Sequence, residues 1–142
     1  MAQWLFKTDP GTYAWDDLVR AERERWDGVA NPLALKHLRS VKKGDTILIY
    51  HTGKEKAVRG LAQAASAPYP DPGNAKLYVV DIEPVEPLEE PVTLARIKQN
   101  KKLKNWELVR LSRLSVMPAS PEQWEEVLRL SRPAQTSKAG AL

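Results

Sequence analysis

Three strand-like segments follow one another in the middle of the chain, with no helix between them. They are TILIYH (46–51) and KLYVVDIEPVEPL (76–88), in which β-branched and aromatic residues are frequent, and between them AVRGLAQAASAPY (57–69), a run of small residues. Because a doubly wound parallel sheet places a helix after almost every strand, this order argues against that class. The pattern predicts an α+β domain with a small, curved or barrel-like mixed β-sheet and helices packed outside it.

Helix start signals lie on both sides of these segments. After a first strand, QWLFK (3–7), the clearest signal is Asn31 followed by Pro32, since asparagine caps helices and proline favours the first helical position. The helices beginning elsewhere have predicted N-caps at Thr12, Thr93 and Ser120. KLKNWELVRL is expected to form a short helical piece, and RLSVMP is expected to be extended.

The bulk composition limits the class of protein. With 142 residues, of which 42% are hydrophobic, the chain is expected to form one domain over residues 2–131, with a disordered tail at 132–142. No apolar run reaches the roughly 18 residues of a membrane span, so a cytoplasmic protein is expected. The absence of cysteine excludes disulfides and thiolate chemistry, and with two histidines no metal or cofactor is expected.

Charge is distributed in blocks along the chain. Residues 36–59 carry seven basic and two acidic side chains, and residues 96–113 carry seven and one, whereas residues 71–91 carry one and six. If folding brings the two basic blocks together, they form a positive face suited to a phosphate backbone. The alternative is that these lysines and arginines merely solvate helix ends and turns.

Tryptophan is unusually frequent, with five in the chain. Trp15, together with Leu18 and Val19, fits one helical stripe and Trp124 another, whereas Trp26 is predicted in a loop before Gly28. A loop tryptophan near basic residues is a candidate platform for base stacking, or else a staple for the next helix. In a strand of small residues, Gly60 indicates close approach of backbone or ligand.

Motifs of catalysis are missing from the sequence. There is no glycine-rich phosphate loop, no nucleophile elbow and no metal-ligand cluster. His51, at a strand end, is the one histidine placed for acid–base work, and a structural hydrogen-bonding role is the favoured alternative.

Five stretches, in collinear order over residues 2–131, resemble the successive motifs of the EVE domain of the PUA-like superfamily. They are WLFKTDP, WDGVANP, GDTILIYHT, APYPDP and LVRLSRLSVMP. The resemblance implies a PUA-like pseudobarrel and recognition of modified bases in DNA or RNA. The chain is similar also to the methyladenosine-reading YTH domains, in which the segment after the first strand and the loop before the following helix shape the base pocket.

The resemblance also implies which residues form a base pocket. In this hypothesis Trp26 or a neighbouring aromatic stacks a base, which is flipped or single-stranded, with modified cytosine as a candidate. Gly28 allows close approach of the backbone, Val29 contacts an alkyl modification and Asn31 reads a base edge. The full base-pocket set is Lys7, Thr8, Trp26, Gly28, Val29, Asn31, Tyr50, His51, Thr52, Ser112, Arg113 and Ser115.

Basic side chains outside this set are expected to hold the phosphates. They are Lys36, Arg39, Lys42, Lys43, Lys101, Lys102 and Lys104. The chain departs from residues common in the family at Ala30, Pro32 and Leu35, which predicts weaker binding or a different ligand.

Two other functions are compatible with the residues. One is a small hydrolase acting on a modified nucleoside, as in PUA-like relatives of the ASCH type, with Lys7 deprotonated by burial beside Asp9 or Asp45. The other is a protein-interaction module without affinity for nucleic acid.

Overall fold

The computed structural model describes residues 1–132, which form seven strands and five helices. The expected tail, residues 132–142, lies outside the described residues apart from Arg132. In chain order the elements are β1 (Gln3–Thr8), α1 (Trp15–Ala21), β2 (Glu24–Trp26), α2 (Pro32–Ser40), β3 (Thr46–His51), β4 (Ala57–Ala64), β5 (Tyr69–Asp71), β6 (Asn74–Thr93), α3 (Leu94–Gln99), α4 (Glu107–Arg110), β7 (Val116–Ala119) and α5 (Pro121–Leu130).

The strands form a curled, mixed sheet in the order β2-β6-β4-β3-β1-β7, and β5 pairs with the first part of β6. Strands β1 and β3 are parallel, with Gln3 opposite Thr46 and Thr8 opposite His51, and the other pairings are antiparallel. Register shifts along β4, against both β3 and β6, bend the sheet. The predicted α+β class with a curved mixed sheet is therefore confirmed.

The core lies on both faces of the central strands. In β1, Leu5 and Phe6 point to opposite faces and neither has any exposed surface. Strand β3 is equally buried at Ile47 and Leu48. The helices cover the sheet from outside, with α2 and α5 each contacting β6 and β7, and α1 and α3 contacting β6.

Three of the four predicted helix caps are confirmed. Asn31 Oδ1 accepts hydrogen bonds from the N–H groups of Leu33 (3.0 Å) and Ala34 (3.1 Å). The Ser120 hydroxyl accepts from the Gln123 N–H at 3.1 Å and the Gln123 side chain accepts from the Ser120 N–H at 2.9 Å, while Thr93 accepts from the Arg96 N–H. Asn31 is thus used as a cap, as the sequence predicts.

The first helix differs from its prediction. The N–H of Thr12 donates to the Asp9 carbonyl in a turn, so the helix begins at Trp15, with Ala14 as its N-cap, and Thr12 was the wrong cap. Trp15 and Leu18 are buried as predicted, but Val19 is 46% exposed and does not belong to the apolar stripe.

Two short strands and two strand ends were not predicted. The Trp26 segment, predicted as a loop, is β2, in which Trp26 lies opposite Val80 of β6. The turn-forming residues at 69–71 form β5, β4 ends at Ala64, and β6 extends to Thr93. Pro84 and Pro87 of β6 lie opposite β4 alone in the described chain, which confirms the predicted edge position of these prolines.

Gly60 is a point of close approach, as predicted, but the approaching group is an aromatic side chain rather than backbone or a ligand. A Cβ atom built at Gly60 would lie 2.6 Å from Cε2 and Cζ2 of Trp15, closer than packed atoms allow. Since Trp15 is buried against the sheet at this point, any side chain here displaces the ring and the start of α1.

We expect Gly60→Ala to destabilise the fold by about 1–3 kcal/mol, because the added methyl overpacks the contact with Trp15. The measurement is urea unfolding followed by tryptophan fluorescence. Gly73→Ala is the matched control, since its Cβ would meet no atom closer than 3.5 Å. Equal stability of the two variants would contradict the proposed contact.

Glu126 joins α5 to the segment after α3. Its buried carboxylate accepts hydrogen bonds from Arg129 Nε (2.9 Å) and Nη2 (2.8 Å) and from the Asn100 side chain. The hydrogen bonds from Arg129 and then Asn100 lower the pKa of Glu126 to about 2. Because the pKa is depressed in the folded state, the stabilisation is present above the ordinary pKa of 4.5 and is lost as pH falls towards 2.

Glu126→Gln is therefore expected to lower stability at neutral pH, with the difference from wild type shrinking between about pH 4.5 and pH 2. Urea midpoints measured across this range test the expectation. The adjacent exposed Glu125, changed to Gln, is the control. A gap between wild type and Glu126→Gln that does not change with pH would show that the carboxylate charge is not what stabilises this contact.

Candidate functional site

A cavity of about 480 Å³ lies where β1 and β2 end. It is bounded by the residues that follow β1, by β2 and its continuation, and by the residue before β7. Its size lies within the range of about 300–1,000 Å³ typical of small-ligand sites. The residues lining this first cavity are Lys7, Thr8, Asp9, Thr12, Tyr13, Glu24, Arg25, Trp26, Asp27, Gly28, Val29 and Ser115.

Trp26 forms a fixed aromatic part of the cavity wall. Its ring lies 5.8 Å from Phe6, tilted by 38°, and 6.1 Å from Tyr13 in an edge-to-face arrangement. The residue exposes 8% of its surface and is held in β2 rather than in a mobile loop. Trp26 therefore presents only part of its ring to a ligand, and Tyr13 completes the aromatic wall.

The segment after Trp26 turns at Gly28. The φ angle of Gly28 is +76°, in the left-handed region that favours glycine, and a Cβ atom there would meet nothing within 4 Å. Val29, which follows, is 4% exposed and packs into the core. The turn thus leaves open space above the cavity while Val29 supplies a small apolar contact at its edge.

Polar groups of both signs face the cavity. Lys7 Nζ donates to the Ser112 carbonyl at 3.0 Å and lies 5.8 Å from the centre of the Tyr50 ring. Burial lowers the pKa of Lys7 below its ordinary value. Three carboxylates, those of Asp9, Glu24 and Asp27, line the same space.

Tyr13 and Glu24 form the most unusual pair of the site. Burial, followed by the nearby Glu24 carboxylate, raises the pKa of Tyr13 to about 12, so the phenol remains protonated. Within the described residues, the buried Tyr13 hydroxyl has no partner in hydrogen-bonding geometry. The Tyr13 hydroxyl is therefore enclosed beside the Glu24 carboxylate, and both residues line the cavity.

Tyr50, His51 and Thr52, at the end of β3, support the residues that line the cavity. Burial raises the pKa of Tyr50 to about 12, and its ring packs under Lys7. The Thr52 N–H donates to the Thr8 carbonyl at 2.9 Å, and the Thr8 hydroxyl donates to the Tyr13 carbonyl at 2.7 Å. Of the predicted base-pocket set, Tyr50, His51 and Thr52 therefore lie outside the cavity lining.

His51 is a structural residue. Its Nε2 accepts a hydrogen bond from the Trp15 N–H at 2.9 Å, so Nδ1 carries the proton and donates to Glu55 at 2.9 Å. The Trp15 N–H belongs to the first turn of α1, where Ala14 provides no side-chain cap. With both ring nitrogens engaged and 4% exposure, His51 is not placed for acid–base catalysis.

A second cavity, of about 340 Å³, is distinct from the first and is lined in part by three of the predicted base-pocket residues. Asn31, Ser112 and Arg113 lie here, and we call it the arginine cavity. Its lining consists of Asn31, Leu33, Arg110, Leu111, Ser112, Arg113 and Leu114. Since Asn31 Oδ1 is occupied by capping α2, this oxygen is not available to read a base edge.

The predicted phosphate residues fall in three places. Lys36 and Arg39 line a third cavity on α2, where the Arg39 guanidinium lies 4.5 Å from the Tyr78 ring centre. Lys42 and Lys43 follow the far end of α2, where the Lys42 N–H donates to Asp45. The exposed lysines Lys101, Lys102 and Lys104 lie between α3 and α4, with Lys102 near Glu126.

Asp45 is remote from Lys7. It is buried at the start of β3 and accepts hydrogen bonds from Trp4 Nε1 (3.0 Å) and the Lys42 N–H (2.8 Å). Lys7 lies opposite Tyr50, at the other end of a β1–β3 pairing about 17 Å long. Asp9, in contrast, lines the first cavity with Lys7.

Within residues 1–132, no group of three or more potential ligand side chains is arranged to hold a metal ion. In the same part of the chain, no helix has the length and apolar character needed to cross a membrane.

The curled mixed sheet with outer helices and a cavity at the strand ends defines a PUA-like domain. The chain belongs to the EVE domain family, whose model matches residues 2–130. The family resemblance and the PUA-like fold predicted from the sequence are thus confirmed.

Similar proteins come from distant organisms. Rpa0253 from Rhodopseudomonas palustris has a TM-score of 0.88 and 38% identity, covering 92% of this chain and 93% of its own. Human thymocyte nuclear protein 1 is 27% identical over 91% of this chain and 73% of its own length. Its crystal structure in complex with 5-methylcytosine-containing DNA has a TM-score of 0.84 and covers 94% of this chain and 99% of that one.

An ASCH protein variant from Zymomonas mobilis is more distant. It has a TM-score of 0.56 at 13% identity, covering 92% of this chain and 99% of its own. This likeness shows a shared fold alone.

Several cavity residues were not predicted from the sequence. Tyr13, Glu24 and Asp27 line the first cavity, and Arg110 lines the arginine cavity. Two of these residues could have been found from the sequence motifs, because Asp27 lies inside WDGVANP and Arg110 begins RLSRLS. Tyr13 and Glu24 flank α1 and reach the cavity only because the chain returns through β2.

We expect His51→Phe to lower the free energy of unfolding by about 1–3 kcal/mol, because it leaves the buried Trp15 N–H without a partner. Urea unfolding measures this loss. The control is His37→Phe, at a partly exposed position on α2. A His51→Phe protein with unchanged stability would contradict the capping role.

Proposed function

We propose that this chain is a non-catalytic nucleic-acid-binding module that takes one modified base into the first cavity, with modified cytosine in DNA as the preferred ligand. The observation that carries the proposal is the make-up of the cavity, where an aromatic wall meets carboxylates and an ammonium group. The human relative solved with 5-methylcytosine-containing DNA supports DNA as the first polymer to test. RNA remains within the proposal as the second polymer.

The polar groups suit the edge of cytosine. Its exocyclic amino group is a hydrogen-bond donor, for which aspartate and glutamate are the favoured acceptors, whereas thymine presents a carbonyl at that position. Glu24 and Asp27 supply acceptors, and Lys7 supplies a donor on the other side of the cavity. These groups favour a base that carries an amino group over one that carries a carbonyl there.

The apolar groups suit a methylated ring. In this proposal a base in the cavity contacts Trp26 and Tyr13, and Val29, which also lines the cavity, supplies an apolar contact that shields an added methyl group from water. Flipping a paired base costs a few kcal/mol, and a base in single-stranded nucleic acid avoids most of that cost. Single-stranded DNA is therefore expected to bind more tightly than duplex DNA.

The geometry supports the two alternatives less well. A hydrolase needs Lys7 as a base or nucleophile, whereas its Nζ donates to the Ser112 carbonyl and Asp9 is its one predicted acidic partner in the cavity. A protein-interaction module gives no reason for a cavity that combines an aromatic wall with three carboxylates and an ammonium group. As part of the same proposal, we expect the protein in the cytoplasm, and cell fractionation tests this.

We expect a single-stranded DNA oligonucleotide with one 5-methylcytosine to bind about fourfold more tightly than its cytosine counterpart, since a buried methyl contributes about 0.8 kcal/mol. Glu24→Gln is expected to reduce the preference for cytosine over thymine about tenfold, because it removes the charged acceptor. Fluorescence anisotropy measures both. The series includes 5-hydroxymethylcytosine, N6-methyladenine and the matching RNA.

Glu125→Gln on the exposed face of α5 is the control, as it makes the same charge change outside the cavity. Equal binding of all the oligonucleotides, with a steep salt dependence, would reduce the protein to a basic surface and contradict the proposal. Release of a product from a modified cytidine by wild type but not by Lys7→Ala would instead support the hydrolase.

A further inference from the structure

The arginine cavity differs in charge from the first cavity beside it. Its lining contains two arginines and no carboxylate, whereas the first cavity sets three carboxylates against Lys7 and Arg25. A phosphate group is repelled by the carboxylates of the first cavity and attracted by the guanidinium pair of the second. The two cavities therefore suit different parts of one nucleotide chain.

The two arginines are available to a ligand. Arg113 is exposed, and neither it nor Arg110 forms an ion pair with any described residue. Arg110 Nε donates to the Asn105 carbonyl at 2.7 Å, which fixes the guanidinium while leaving its Nη groups free of described protein partners. A planar guanidinium held in this way is well suited to binding phosphate with two parallel hydrogen bonds.

The two cavities adjoin at three points, one of which is the peptide bond between Leu114 of the arginine cavity and Ser115 of the first cavity. Lys7 of the first cavity donates to the carbonyl of Ser112, which lines the arginine cavity. On the other side, Val29 of the first cavity is two residues from Asn31 of the second, so the Cα atoms of these two lining residues are at most about 7 Å apart. The two cavities therefore lie next to each other, as neighbouring parts of one nucleotide chain require.

We propose that the arginine cavity is a phosphodiester site, in which Arg110 and Arg113 bind the phosphate next to the base held in the first cavity. The inference rests on the proposed function and adds the position of the backbone to it. It assigns Arg113 and Ser112 to the backbone rather than to the base, in contrast to their placement in the base-pocket set. It also implies that Lys42 and Lys43, which were predicted to hold phosphates, are not needed to hold the modified base.

The test uses single-stranded DNA with one 5-methylcytosine and one neutral methylphosphonate linkage, placed either beside the modified base or four nucleotides away. Wild type is expected to lose about tenfold in affinity when one of the adjacent linkages is neutral, and much less when the remote linkage is neutral. Arg113→Gln is expected to lose a similar factor on fully charged DNA and to become several-fold less sensitive to the adjacent methylphosphonate, because Arg110 alone remains, and the double variant Arg110→Gln/Arg113→Gln is expected to be insensitive to it. Arg110→Gln is expected to behave in the same way.

Arg132→Gln is the matched control. Arg132 is exposed and lines a different cavity, with Glu86 and Glu89, that shares no residue with the other two. This variant should keep both the wild-type affinity and the wild-type sensitivity to the adjacent methylphosphonate. The slope of log affinity against log salt should fall by about 0.7 in Arg113→Gln and should be unchanged in Arg132→Gln.

Two further arms separate this inference from the proposed function. The free nucleoside 5-methylcytidine, which lacks a phosphate, should bind equally to wild type and to Arg113→Gln. Inorganic phosphate should compete with DNA for wild type far less well than an oligonucleotide does. Wild-type sensitivity to the adjacent methylphosphonate retained in Arg113→Gln would overturn the phosphodiester site. If wild type shows no preference for modified bases, the proposed function is contradicted. The salt dependence of Arg113→Gln binding would then still decide whether the arginine cavity binds a phosphate.

Discussion

The parallel pairing of β1 with β3 is the constraint on which the rest of the structure depends. Both strands are buried on both faces, and their register brings Lys7 and Thr8 beside Tyr50 and His51. The same pairing continues past the strand ends, where the Thr52 N–H donates to the Thr8 carbonyl. It thereby sets the direction of the chain into the turn that carries Tyr13 to the cavity, and a shift of one residue would turn Lys7 away from it.

The start of α1 depends on this pairing as well. Ala14 has no side chain with which to cap the helix, and His51, the last residue of β3, accepts from the Trp15 N–H instead. Trp15 in turn fills the space that Gly60 leaves on β4. One strand end therefore orients the helix whose preceding turn forms a wall of the first cavity, so the stability of the fold and the shape of the site rest on the same contacts.

Local signals in the sequence were sufficient for the elements whose ends are satisfied locally. Asn31 and Ser120 cap their own helices, and the apolar runs of β3 and β6 need no partner to be recognised. Thr12 failed as a cap because the Asp9 carbonyl holds its N–H in a turn, and β2 was missed because a three-residue strand exists only through its pairing with β6. Most of the motif residues named from the sequence line one of the two cavities, but Tyr50, His51 and Thr52 do not, and the division between two cavities depends on the path of the chain through β2 and β7, which no local pattern contains.

That division has a physical logic of its own. In the proposed function, the acceptors that read an amino group are carboxylates and the groups that hold a phosphate are cationic, so the two sets must stay out of ion pairs with each other in order to bind a ligand. Here Glu24 and Asp27 are separated from Arg110 and Arg113 by the bridge from Lys7 to the Ser112 carbonyl, which is a neutral acceptor. The Lys7 ammonium group is thus held by a neutral carbonyl. It forms no ion pair with a carboxylate of the first cavity and does not compete with the arginines of the second cavity for a partner. The separation keeps both sets of charged groups available to a ligand, which is what a module that contacts a base and its backbone at the same time requires.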